Sequence, residues 1–286
     1  MPDPVPGPAS MPLPAHESKH LLLLEYPFPP SSSTFFLSQL VDGQSNGTAL
    51  WLGAQCLSLY LAHINHSLVS KCSGSPRVIE LGSGIGLTAC ASYQVLHRYR
   101  SYFNHSLALS SLGWEVLATD IPPVISAVLV KNVQNNSLPS SGPIQIRELD
   151  WTIPPDDWTW NDSNVVSSRS STSFLSNSSN LLNPPYDLIC TSDTVYVPSL
   201  VQPLLRTLHS LCKLSVIRSP PVYLCIERRD PSLVDHLLSE ARSTWGFLVV
   251  RIPHKKLAKA MQKGGVTWAK EEWDGIEIWK MTLPRE

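Results

Sequence analysis

From Thr48 the apolar residues of TALWLGAQCLSLYLA recur at helical spacing, with Thr48 placed to cap the first turn, which predicts a buried helix. Beyond it the pattern changes. RVIEL, WEVLATD, IQIRELDW, YDLICTS, PVYLCIE, FLVVRIP and IEIWKMTL are short runs of strand character. Between them GLTACASYQVL, PVISAVLVKNVQNN, PSLVQPLLRTLHSLCKL and PSLVDHLLSEARSTW read as helices. A run such as VYLCI, apolar at every position, needs cover on both faces, and alternating strands and helices put successive strands parallel. The expected fold is therefore α/β: a Rossmann-like, seven-stranded, mainly parallel sheet with helices on both faces and the last strand antiparallel. Ahead of the first helix, HLLLLEYPF reads as a further strand and SSST as a turn.

Three stretches break this economy. Residues 1–20 are rich in proline and poor in apolar residues, which predicts a disordered tail and leaves 21–286 as a single domain. HRYRSYFNHSLALSS, near 97–111, and the Ser/Asn-rich NDSNVVSSRSSTSFLSNSSN, at 161–180, read as insertions, the second as a surface loop.

Composition narrows the classes of function. With 43% hydrophobic residues the chain fills a sizeable core, and a formal net charge of −1 gives no global reason to bind a nucleic-acid backbone or an anionic membrane. LLLL at 21–24 is far too short to span a bilayer, and HESKH before it is a poor signal-peptide prelude, so the chain is expected to stay inside the cell, in cytoplasm or nucleus; a monomer is expected as well. Six cysteines without a CxxC pair read as reduced, packed thiols, and no Cys/His spacing suggests a metal site. The N-x-S/T sequons read as accidents of a Ser- and Asn-rich chain.

The chemistry concentrates in PRVIELGSGIGLTA, where Gly82, Gly84 and Gly86 follow a strand that ends near Glu80. A strand leading through glycines into a helix start offers bare backbone N–H groups at the sheet's C-terminal edge. Dinucleotide binding by GxGxxG fails, because Leu87 stands where the last glycine belongs. An acidic residue followed by GxGxG suits S-adenosylmethionine, whose cationic methionine end favours a nearby carboxylate such as Glu80. Asp120, ending VLATD, is placed to accept ribose hydroxyls or to cap the helix after it. Its separation from Glu80 is twice the ~20 residues usual in such folds, an excess that the first insertion explains.

With VIELGSGIGL, VLATD, ELDW and DLICTSDTVYVPSLVQPLLRTL, the chain resembles a class I, seven-strand S-adenosylmethionine-dependent methyltransferase, and more narrowly the methyltransferase-like protein-lysine methyltransferases. Its C-terminal portion is similar to the methyltransferase-like twenty-two branch. The resemblance implies S-adenosyl-L-methionine as cofactor and a lysine on a protein substrate as acceptor. It also implies Gly82, Ser83 and Gly84 around the amino-acid part, Trp51 and Trp151 around the cofactor, and Ser192 on the adenosine side. Asp193 and Tyr196 match the family's DxxY motif, with Asp193 to guide the arriving ammonium and Tyr196 to shape the lysine channel. The alternatives at these positions are a helix cap for Asp193, packing for Tyr196 and a core tryptophan for Trp51. Glu227 is a candidate second acid or a partner for Arg228 or Arg229. HKKLAKAMQK could meet an acidic substrate face, although a solvated surface is the favoured reading. The rival functions are a small-molecule or RNA methyltransferase and a non-catalytic adaptor. RNA is disfavoured because TSDTVY stands where an N/D-P-P-Y/F motif belongs.

Overall fold

The structure, a computed structural model, describes residues 11–40, 46–88, 108–136, 142–169, 180–215 and 218–285. In chain order the elements are α1 (Ala15–Ser18), β1 (Leu23–Phe28), β2 (Ser33–Ser38), α2 (Leu52–Val69), β3 (Arg77–Leu81), β4 (Glu115–Asp120), α3 (Pro122–Val124), α4 (Val130–Asn136), β5 (Ile144–Leu149), β6 (Val165–Ser167), β7 (Leu188–Ser192), α5 (Val201–Leu214), β8 (Val222–Glu227), α6 (Pro231–Ser243), β9 (Leu248–Arg251), α7 (His254–Lys263) and β10 (Ile276–Thr282). A π-helical turn, Ile125–Leu129, joins α3 to α4. The main sheet runs β6-β5-β4-β3-β7-β8-β10-β9, and β1 and β2 form a separate antiparallel hairpin.

The α/β expectation holds, with eight strands in the sheet rather than seven. β3, β4, β5, β6, β7 and β8 run parallel to one another, while β10 lies antiparallel between β8 and β9. The additional strand is β6, in the stretch expected to be a solvated loop. There Val166 is fully buried, and Asp162 accepts the backbone N–H groups of Asn164 and Val165, so a few apolar side chains and a local turn suffice to add an edge strand. Residues 170–179 of that stretch lie outside the described residues, as do 89–107, on which most of the helix expected after the glycines and most of the first insertion fall. The end of that insertion is packed: Ala108, Leu109, Ser110 and Ser111 are buried.

Alternation along each central strand sends successive side chains to opposite faces. On one face Val78, Val116, Ala118, Leu188 and Cys225 pack with α2, α7 and the hairpin. On the other Ile79, Leu117, Ile189, Leu224 and Ile226 pack beneath α5 and α6. Cys56, Cys190, Cys212 and Cys225 are buried free thiols.

One expectation needs correction. Residues 11–20 are a packed strap rather than part of a tail. Ala15 and Ser18 are buried, Gln55 Nε2 donates to the Leu13 carbonyl at 2.8 Å, and Trp268 Nε1 donates to the Pro12 carbonyl at 2.7 Å. Proline poverty in hydrogen-bond donors is no obstacle here, because the neighbours supply the donors. HKKLAKAMQK is the amphipathic helix α7, whose Leu257, Ala260 and Met261 are buried against the α2 side of the core while its lysines face outward.

The hairpin is fixed by two asparagines of α4 that behave as a neighbouring strand would. Asn132 Oδ1 accepts from Ser38 N at 2.7 Å and its Nδ2 donates to Ser38 O at 3.0 Å. Asn136 makes the same pair with Phe36, both at 2.9 Å. Asn132 Nδ2 also donates to the carbonyl of Ile85 at 2.9 Å, which ties the hairpin to the glycine-rich turn. Among the described residues no helix is long and apolar enough to cross a membrane.

Candidate active site

The strand ends of β3, β4 and β7 meet at one edge of the sheet, where a cleft of about 320 Å³ opens between the glycine-rich turn and the segment that starts α2. This is the rim at which parallel α/β sheets bind ligands, because the crossover helices diverge there.

The turn leaves β3 at Gly82 (φ +65°) and passes Gly84 (φ +55°), a left-handed backbone that suits glycine. A Cβ at Gly82 would lie 2.7 Å from Thr194 Cγ2 and 3.4 Å from the Trp151 ring; one at Gly84 would lie 3.1 Å from the carbonyl of Gly47. The absent side chains therefore keep a bare backbone between a threonine, an indole and a facing loop. Ser83 closes the turn. Its N–H donates to Thr119 O at 2.9 Å, its Oγ accepts from Thr119 N at 3.2 Å, and its carbonyl accepts from Gly86 N at 2.8 Å.

Asp120, at the end of β4, accepts Gly84 N on Oδ2 and Ile121 N on Oδ1, both at 2.8 Å. Burial raises its pKa to about 6, and these two N–H groups partly oppose that rise. Each oxygen keeps a further lone-pair direction for a ligand hydroxyl. The carboxylate therefore shapes the glycine turn and faces the cleft as well.

Asp193 follows β7 in a left-handed conformation (φ +53°) unusual for a residue other than glycine. Its Oδ2 accepts from Gly53 N at 2.8 Å and its Oδ1 from Glu227 N at 3.1 Å. Trp51 occupies the N-cap of α2 and offers no side-chain acceptor, so Asp193 supplies that cap from across the sheet edge. The capping expected of Asp193 is thus real but serves an earlier helix. Gly53 makes the approach possible, since a Cβ there would meet the Asp193 carboxylate at 2.3 Å. Burial and the adjacent Glu227 charge raise the Asp193 pKa to about 6, while Arg229 and the two N–H donors work in the opposite sense.

Threonine hydroxyls lock the two rims together. Thr191 Oγ1 donates to Leu81 O at 2.8 Å, which leaves Thr194 Oγ1 to donate to Thr191 Oγ1 at 2.9 Å. On the third side, Arg206 of α5 donates to the carbonyls of Trp151 and Thr152 at 2.9 and 3.0 Å and so holds Trp151 at the cleft. Asp150, beside it, is engaged by Thr152 and by Arg169 at 3.2 Å.

Nine of the residues singled out from sequence border the cleft: Trp51, Gly82, Ser83, Gly84, Asp120, Trp151, Ser192, Asp193 and Tyr196. Tyr196 stands at the mouth, 51% exposed. Glu80, Gly86 and Glu227 do not line it. Glu80 is on the α2 face of β3, 1% exposed, with its carboxyl bonded by the Ser83 and Thr88 hydroxyls and one oxygen unpartnered. Burial raises its pKa to about 8. It therefore acts on the turn from beneath and presents no charge to a ligand directly. Gly86 closes the turn, and Glu227 is tied to Arg229.

Residues that sequence reasoning did not find complete the wall. Asn46 and Gly47 face the glycine turn, and Asn46 O receives the Trp51 indole N–H. The Asn-Gly pair is a turn signal that the chain carries openly. Arg229, also in the wall, lies over the Trp51 ring, 4.4 Å from its centroid, and Lys19, outside the lining, brings its Nζ to 3.4 Å from the same centroid. On the surface, His16, Glu17 and Glu272 bring potential ligand atoms within 4.8 Å of one another, with His16 Nε2 2.9 Å from Glu272 Oε2.

Residues 36–168 match the lysine methyltransferase family model. That span includes Trp51, the glycine turn, Asp120 and Trp151 and stops before Ser192, Asp193 and Tyr196. The chain is 27% identical over 173 residues to a human sequence named as a methyltransferase-like protein 21E pseudogene, covering 60% of this chain and 48% of that sequence. It is 26% identical over 182 residues to the mouse protein-lysine methyltransferase METTL21E, covering 63% and 57%. The chain thus spans about half the length of the curated relatives it matches. A solved structure of a SAM-dependent methyltransferase from Agrobacterium tumefaciens aligns with a TM-score of 0.45 at 12% identity, covering 92% of this chain and 70% of that one. The family match supports S-adenosylmethionine as the cofactor, and the cleft fits such a group: the backbone is bare at Gly82 and Gly84, a carboxylate with spare acceptor capacity stands beside it, and Trp151 offers an aromatic wall.

Proposed function

We propose that this chain is an S-adenosylmethionine-dependent protein-lysine N-methyltransferase, transferring a methyl group to the ε-amine of a lysine on a protein substrate. The observation that carries the reading is Asp120 clamped onto Gly84 N at the rim of the cleft, with bare backbone on one side and Trp151 on the other. The name of the mouse relative supports the lysine acceptor.

In this reading Asp120 accepts the ribose hydroxyls, Gly82, Ser83 and Gly84 receive the amino-acid portion, and Trp151 and Ser192 border the nucleoside. The cofactor supplies an electrophilic methyl group on a sulfonium. Asp193 is a positioning residue: both its oxygens hold backbone N–H groups, and through Gly53 it sets the start of α2 and with it Trp51. Its charge, with that of Glu227, favours an arriving ammonium, while the Trp51 face favours the cationic product amine. Tyr196, exposed at the mouth, shapes the approach.

Calorimetric titration of the full chain with S-adenosylmethionine, followed by mass spectrometry of lysate proteins labelled with a methyl-tagged cofactor, tests the reading. Binding and labelled lysines are expected, and Asp120→Asn should weaken binding about tenfold to hundredfold by loss of charge-assisted acceptor capacity. A chain that binds no cofactor, or one that labels only small molecules, overturns the assignment.

A further inference from the structure

We propose that Lys19 of the chain's own N-terminal strap is a methylation site of this protein, its amine being seated on the ring of Trp51, a residue that borders the cleft. The inference rests on the reading of the cleft given above and goes beyond it, since it names an acceptor inside the chain.

The position of Lys19 is built by buried groups. Gln39, 4% exposed, donates from its amide to the carbonyls of Ser18 and Leu21, both at 2.9 Å, and so brackets the residue. The Lys19 N–H closes the end of α1 on Ala15 O at 3.1 Å. Upstream, Gln55 of α2 and Trp268 hold the strap at Leu13 and Pro12. The strap thus lies along the helix whose first residues wall the cleft.

The amine then meets the environment that a methyl acceptor needs. Nζ is 3.4 Å from the centroid of the Trp51 ring, and Trp51, Asp193 and Arg229 all border the cleft. Among the described residues no carboxylate lies within ion-pair distance of Lys19, although Asp193 and Glu227 act on it from further away. Burial and the neighbouring Arg229 cation lower its pKa, opposed by those two acids. The free lone pair is therefore more accessible than on an open surface. In the transfer, Lys19 Nζ forms a bond to the methyl carbon of a sulfonium donor, the S–CH₃ bond breaks with its electron pair left on sulfur, and the ammonium proton passes to solvent. The methylated cation that results is stabilised by the indole face, which attracts alkylammonium groups.

Two measurements on the full chain test this. After incubation with methyl-tagged S-adenosylmethionine, peptide mass spectrometry is expected to find the tag on Lys19, at a rate per chain independent of chain concentration, as an internal acceptor requires. Lys19→Arg should abolish that tag and leave calorimetric cofactor binding in place. Independently of any transfer, acetylation of Lys19 by acetic anhydride should be slowed when S-adenosylhomocysteine is bound, as this inference requires of an amine that opens toward the bound nucleoside. A Lys19 that is neither tagged nor protected, in a chain that binds cofactor and labels other proteins, overturns this inference alone. A chain that binds no cofactor overturns it together with the proposed function.

Discussion

At the scale of single residues, the cleft depends on carboxylates that hold backbone. Asp193 is the sharpest case, since its left-handed conformation and its two accepted N–H groups are both specific demands. Asparagine tolerates that conformation and keeps one acceptor, whereas alanine keeps neither advantage. Asp193→Ala should lower stability by about 1–2 kcal/mol through loss of the cap, with Asp193→Asn closer to the parent. Urea unfolding midpoints of the two variants check this, and equal midpoints for Asp193→Ala and the parent would show that the cap does not matter. The motif DTVY was visible in the sequence, and so was the possibility of a cap. The helix it caps was not, because Gly53 and Asp193 meet only through the packing of α2 against the sheet edge. Glu80 is a contrasting case: its place in the motif was legible, whereas the face its side chain takes, on the α2 side beneath the turn, follows from strand alternation within the packed sheet.

Elements are joined here by side chains that imitate backbone. Asn132 and Asn136 satisfy both backbone groups of Ser38 and of Phe36, and Asn132 also holds Ile85 O. Asn132→Ala leaves three buried polar groups without their partner, each costing about 1–3 kcal/mol if no water replaces it. The expected result is a marked drop in melting temperature, with cofactor affinity falling as the glycine turn loosens. Hydrogen exchange should show faster exchange at Ser38 N than at Phe36 N, and unchanged exchange at Ser38 would refute the coupling. The periodicity of PVISAVLVKNVQNN predicts the helix but not this use of its asparagines, which appears only when β2 lies alongside. Edge strand β6 escaped for a related reason: three residues in a polar stretch carry too little pattern to register, yet the exposed edge of β5 supplies the missing half of the ladder.

For the whole molecule, the buried carboxylates set a pH dependence of stability. Asp120 and Asp193 are raised to about 6, and Glu80 to about 8, by burial. Each binds its proton more tightly folded than unfolded, so between its ordinary value and its raised value the native state carries the extra proton. Stability then falls as the pH rises through that window. The two aspartates contribute between about pH 4 and 6, and Glu80 from about 4.5 to 8. Glu80→Gln removes the upper part of the slope and should gain on the parent as the pH approaches 8. Urea unfolding across pH 5–8 measures both curves, and parallel curves would exclude Glu80 as the source. Cofactor affinity should move the other way below about pH 6, where Asp120 takes up a proton and loses acceptor capacity.

The sequence by itself determined the layered α/β order, the glycine turn after β3, Asp120 at the end of the next strand and the acidic motif after β7. These depend on periodicity and on residues acting next to their own neighbours in the chain. The tertiary structure decided which charges meet. It placed Lys19 and Arg229 on Trp51, gave Asp193 to α2 and turned Glu80 away from the cleft. Such partners lie on different elements, from 32 residues apart for Lys19 and Trp51 to 140 for Gly53 and Asp193 and more for Arg229 and Trp51, and their pairing is set by which faces pack together, a choice that no local pattern contains.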